Sequence, residues 1–158
     1  MNKSYQFPSV DLLEKRKIKE NNSEDDIDEQ KKNKDLITRT LLDNKISVQH
    51  IKTTIGPTIT LYEIVLAEDV RLVYFRQHEN DIVNSLGTLN ARIIAPIPGT
   101  NTIGIEVPNR TPEIISIRSI IASEKFAEAR RTMHLPIAIG ITVLKDIIIQ
   151  DLAKMPHL

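Results

Sequence analysis

Between Arg92 and Asn109 the chain reads RIIAPIPGTNTIGIEVPN, and three prolines with two glycines in that span leave no room for a helix. A proline inside a helix removes a backbone donor and clashes with the preceding turn. What remains is extended chain interrupted by turns, so residues 91–95 read as a strand, 96–101 as a turn, and 102–107 as a second strand closed by Pro108. Proline presets φ at Pro96 and Pro98, and Gly99 relieves the steric cost of a positive φ. Only Arg92 and Glu106 are charged, and only Glu106 has acid–base chemistry to offer. The stretch reads as an element of shape.

The same grammar recurs on both sides. Residues 46–51 alternate at period two, Gly56-Pro57 signals a turn, and 58–66 is a β-branched, alternating run, so the pair predicts an antiparallel hairpin. Asp35 reads as the cap of a helix with Ile37, Leu41 and Leu42 on its inner face, ending near Lys45. Asn80 or Asp81 reads as the cap of a second helix carrying Ile82, Val83, Leu86 and Leu89, with Asn90 placed for a left-handed C-terminal cap. Gly87 weakens that helix by ~1 kcal/mol relative to alanine. Ile117, Ile120, Ile121 and Phe126 suggest a broken helix with Ser123 capping its second part, and residues 136–140 and 143–150 suggest two more strands. The expected architecture is α+β: one small, mostly antiparallel sheet with helices packed on it.

Ahead of residue 35 the composition changes. From Glu14 to Asp35 only Ile18 and Ile27 are apolar, too little to offset chain entropy, so residues 1–34 read as an arm and a solvated linker whose mixed charge supports transient helix but no stable apolar face, and 35–158 as the domain. The apolar island Tyr5–Leu13 reads as an arm without structure of its own, with docking onto a partner as the second option. Cysteine is absent, no apolar run approaches the length of a membrane span, and the N-terminus lacks the core of a signal peptide. These features point to a soluble intracellular segment. Lys and Arg balance Asp and Glu at 21 each, so no net field draws the chain to nucleic acid or to an anionic membrane.

Catalytic and metal-binding patterns are not found. His50, His78, His134 and His157 share no short ligand spacing, and neither a nucleophile elbow nor a phosphate-cradling GxxxxGK[ST] loop occurs. Alternation places Glu63 and Glu106 facing outward. Lys52, Arg71, Arg76, Arg92, Arg110 and Arg118 are scattered, and Arg130-Arg131 suit a helix end as well as a phosphate. Residue types alone support an α+β domain, and leave open a stand-alone protein- or DNA-binding adaptor.

Four ordered blocks narrow this. Gly56-Pro57-Thr58-Ile-Thr-Leu-Tyr62-Glu63, Arg92-Ile-Ile-Ala-Pro96-Ile-Pro98-Gly99, Ile103-Gly104-Ile-Glu106-Val-Pro108-Asn109 and Asp151-Leu-Ala-Lys154-Met-Pro156-His157-Leu resemble the FtsK/SpoIIIE family of bacterial double-stranded DNA translocases. They match the alpha subdomain that precedes the family's RecA-like ATPase core, and the arm Tyr5–Leu13 resembles the proline-containing segment ahead of it. The resemblance implies that this chain contributes to a homo-hexameric ring on double-stranded DNA, acting in chromosome segregation and cell division. It implies structural rather than catalytic, cofactor or metal roles for the numbered block residues. ATP and Mg2+ would belong to a phosphate loop expected just beyond Leu158, outside this chain. The segment would be cytoplasmic, with the whole protein anchored in the inner membrane at the septum through other regions. Two departures stand out: Leu61 where arginine is common, and Gly140-Ile-Thr142 where Gly-Lys-Asp is usual.

Overall fold

The structure is a computed structural model that describes residues 8–15, 24–100 and 102–156. Its contacts divide the chain into two units: Lys19–Glu113, and Met1–Ile18 together with Ile114–Leu158.

In the first unit, helix α1 runs from Glu24 to Asp43, beginning eleven residues before the start expected at Asp35. The boundary expected near residue 35 therefore falls inside a helix. Acidic residues lead and lysines follow along its first half, an order that complements the helix dipole and places Asp28 four residues ahead of Lys32. The second half buries Ile37 and Leu41, one turn apart. The helix ends where Lys45 adopts φ 59°, with Ile46 N–H donating to Leu41 O and Lys45 N–H to Leu42 O, both at 2.8 Å. This is a Schellman termination with a lysine where glycine is usual, and Ile46 is buried beside Leu41 as that motif favours.

Strands β1 (Val48–Ile55) and β2 (Ile59–Leu66) form the expected hairpin, and β3 (Arg92–Ile94) and β4 (Ile103–Pro108) the second. All pairings are antiparallel, in the order β1-β2-β4-β3, so the two hairpins join through β2 and β4. Tyr62 lies opposite Ile105 and Ile64 opposite Ile103, and all four side chains are fully buried. Around them close Ile37, Leu41, Ile46, Phe75, Ile82 and Leu86, an aliphatic core with two aromatic rings. Phe75 belongs to α2 (Leu72–Gln77), which the sequence reading passed over; α3 (Glu79–Ser85) follows at once. No side chain caps α3, so neither Asn80 nor Asp81 plays the role expected of it, whereas Asn90 does occupy the left-handed region at φ 49°. A Cβ at Gly87 would meet nothing, so that glycine is tolerated rather than required by packing.

The second unit contains α4 (Ile117–Ile121), α5 (Glu124–Thr132) and the antiparallel pair β5 (Pro136–Ile141) and β6 (Ile147–Asp151). Ser123 caps α5 as expected, its Oγ accepting from Phe126 N–H. Residues 10–12, within the expected arm, make a 3-10 turn capped by Ser9, whose side chain accepts from Asp11 N–H. Among the described residues no helix is long and apolar enough to cross a membrane.

Candidate functional site

The motif residues form three separate brackets. The first ties the turn of the β1–β2 hairpin to the end of β4. Asn109 does this with three of its polar groups. Its backbone N–H donates to Thr58 O at 2.9 Å, its Nδ2 donates to Gly56 O at 2.9 Å, and its Oδ1 accepts from Thr60 Oγ1 at 2.8 Å. Glu113 N–H adds a bond to Pro57 O at 2.8 Å. Gly56, Pro57 and Thr60 are buried, so these carbonyls and this hydroxyl need their partners. Glu29, Gln30 and Asn33 of α1, with Thr60, Asn109 and Arg110, border a cavity of about 20 Å³, room for one water. Tyr62 is fully buried beside them, and burial pushes its phenol up from its ordinary value.

The second bracket is the turn between β3 and β4. Gly99 sits at φ 83°, the conformation that its place in the sequence predicts. Ile97 N–H donates to Thr102 O at 2.8 Å and Thr100 N–H to Ile97 O at 3.0 Å, which folds the Ile97 side chain back over β4. There it meets Gly104: a Cβ at 104 would lie 3.1 Å from Ile97 Cγ1 and 3.2 Å from Leu61 Cδ1. Gly104 thus lets the two side chains close on the strand, and a Cβ there would make them give by a few tenths of an ångström; Leu61, standing where the family resemblance expects arginine, supplies one of these apolar contacts. Arg76 fastens the base of the turn, donating to Ala95 O at 2.8 Å. Pro96 and Pro98 flank Ile97 and stiffen its approach. On this face of the sheet Glu63 pairs with Lys52 at 3.2 Å, and Glu106 lies opposite Arg92 in the strand register. Both carboxylates face away from the core as alternation predicts, although neither is fully open to solvent.

The third bracket centres on Asp151, a buried carboxylate. It accepts from Leu135 N–H at 2.9 Å, and from His134 N–H and Ala153 N–H at 3.2 Å. The Leu135 bond chiefly holds this carboxyl below its ordinary value; burial opposes it, while the other two N–H groups and the Lys154 charge add to it. Lys154 closes a 3-10 turn and Pro156 follows it; His157 lies outside the described residues.

These groups hold shape. A carboxylate kept ionised by backbone N–H groups is a poor proton acceptor near neutrality. No cluster of three or more potential metal ligands occurs among the described residues. Two side chains with structural work, Arg76 and Arg118, stand in the sequence only among several scattered cations. Each reaches a backbone carbonyl distant in the chain, and a lone arginine carries no local signal of that.

Paired hairpins under helices, clamped at their turns by asparagine, glycine and arginine, define an architectural α+β domain. The chain belongs to the FtsK alpha domain family, which matches residues 7–109 and so ends on the asparagine that closes the first bracket. It is 39% identical over 156 residues to the DNA translocase FtsK of Chlorobaculum tepidum, covering 98% of this chain and 19% of that protein. The DNA translocase SftA of Bacillus subtilis is 36% identical over the same length, and the DNA translocase FtsK of Agrobacterium fabrum 35%, with 16% and 17% of those proteins covered. The chain therefore spans less than a fifth of the length of these relatives.

Proposed function

We propose that this chain is the non-catalytic portion of an ATP-driven double-stranded DNA translocase, serving ring assembly and the coupling of nucleotide turnover to DNA movement. The observation that carries this reading is the match of nearly the whole chain to a small part of proteins named as DNA translocases. The brackets support it, since a part that transmits force needs turns that do not yield. In this reading ATP and Mg2+ are bound by the remainder of the motor, and the partners of this segment are its neighbours in a homo-hexameric ring. DNA is engaged by the assembled motor. Attachment to the inner membrane at the division septum falls to other regions.

Excision of residues 1–158 from the intact translocase tests the proposal. Basal ATP hydrolysis should persist, while ring formation, followed by analytical ultracentrifugation, and DNA-dependent movement should be lost. Rings that form and move normally without the segment would overturn it. Titration of the isolated chain with ATP in a calorimeter should give no saturable heat, and a saturable signal would place nucleotide binding here.

A further inference from the structure

Residues 8–15 precede the four-stranded sheet in sequence but belong to the unit that follows it. One side chain of that unit grips them. Arg118, in the first turn of α4, donates through Nη1 to Val10 O and, at 2.9 Å, to Leu13 O, while its Nη2 meets Asp11 Oδ1 at 2.7 Å. Its side chain is only 17% exposed. The platform beneath it is fixed: Ser116 accepts from Ser119 N–H, and Arg118 O accepts from Ala122 N–H at 2.9 Å. The arm is shaped to be gripped. Ser9 O and Val10 O accept from Leu12 and Leu13 N–H at 3.1 Å, curling three residues so that two carbonyls and one carboxylate converge on the guanidinium. Leu13 also borders the same surface depression as Ile114 and Ile117. A planar fork of five donors satisfies three such acceptors together; an ammonium offers a point charge and loses the geometry.

We infer that Arg118 is the buckle of a strap that fastens residues 8–15 to the 114–158 unit, so that tension on the chain ahead of residue 8 reaches that unit through the buckle before it reaches residues 19–113. The unit bearing the sheet is then bypassed, although it lies between the two fastened segments in sequence.

Because the chain has no cysteine, spin labels can be placed freely, at Pro8→Cys and Lys125→Cys for example. The parent should give one narrow distance distribution, and Arg118→Ala and Asp11→Ala should broaden it, with Arg118→Lys in between. Hydrogen exchange of the Leu12 and Leu13 amides should accelerate about tenfold in Arg118→Ala, from loss of charge-assisted bonds, while β2 and β4 amides keep the parent's rates. Held in an optical trap between residues 8 and 154, the parent should show a short release step before residues 19–113 extend, and Arg118→Ala should lack it. Asp11 is exposed, so its variant should fold even if an Arg118 variant does not. A broad distribution in the parent, variants as narrow as the parent, or acceleration of β2 and β4 equal to that of the arm would each overturn the inference.

Discussion

Residues 19–113 and residues 114–158 solve the folding problem in different ways. Among the described residues the first unit buries a dozen apolar side chains, ten of them completely, between helices and one face of a sheet. In the second, among the described residues, Ile120, Ala129 and Asp151 are buried, while Leu135, Ile139 and Leu144 are each more than half exposed. Its shape rests on Ser116 and Ser123 as helix caps, on Asp151 as a threefold acceptor, and on Arg118. Apolar burial is nondirectional and tolerates small shifts, whereas hydrogen-bond brackets are directional and fail when one partner is lost. The two units should therefore break differently.

Phe75→Ala should do the greatest damage, removing a fully buried ring from the first unit at a cost of ~3–5 kcal/mol, read from urea unfolding of the whole chain. A loss under about 1 kcal/mol would mean that this core is looser than its burial implies. Gly99→Val comes next. Nothing lies within 4 Å of a Cβ placed there, so the expected cost is backbone strain at φ 83°, ~1–3 kcal/mol, and a variant as stable as the parent would show that the turn simply re-forms another way. In the second unit, Asp151→Asn should lower the thermal midpoint at neutral pH. The folded-state pKa of Asp151 lies below its ordinary value, so its contribution is complete above the ordinary carboxylate range and is lost as pH falls through the depressed value. The difference between parent and Asn variant should accordingly shrink in acid; a constant gap would point to sterics instead of charge. The smallest effects belong to Leu144→Ala and Thr100→Ala, each within ~0.5 kcal/mol, because both side chains are exposed. A larger loss at Leu144 would reveal a packed surface where the second unit shows an open one.

What could be read in advance follows the same division. Alternation in 58–66 and the prolines and glycines of 92–109 located both hairpins, because strand period and turn chemistry are local properties. Gly99 and Asn90 were legible for the same reason. The role of Gly104 was not, since it depends on where Ile97 lands after the turn. Helix α2 escaped because its single fully buried anchor, Phe75, sits in a run rich in β-branched and aromatic residues that mimics a strand. The charged residues 24–34 read as solvated chain because their helix is anchored by Ile37 and Leu41 beyond them and by polar contacts such as Tyr62 Oη donating to Gln30 O at 3.5 Å, and no pattern within 24–34 announces either. The bracket around Asn109 was visible only as a set of matching residues; that Thr60, Gly56 and Asn109 meet required the register of β2 against β4. Asn101, expected at the tip of the second turn, and Tyr5, at the start of the arm, lie outside the described residues.

Asp11 and Arg118 stand 107 positions apart, and a ribosome delivers them in that order. The core around Tyr62 and Phe75 has all of its buried side chains once Val107 has emerged, whereas residues 9–13 must wait for the arginine that follows. At about 5–20 residues per second the delay is on the order of 5–20 s, far longer than the microseconds a hairpin needs to form. The β1–β2 and β3–β4 hairpins can therefore be in place before residues 9–13 find their seat, and an arginine made later secures a segment made earlier.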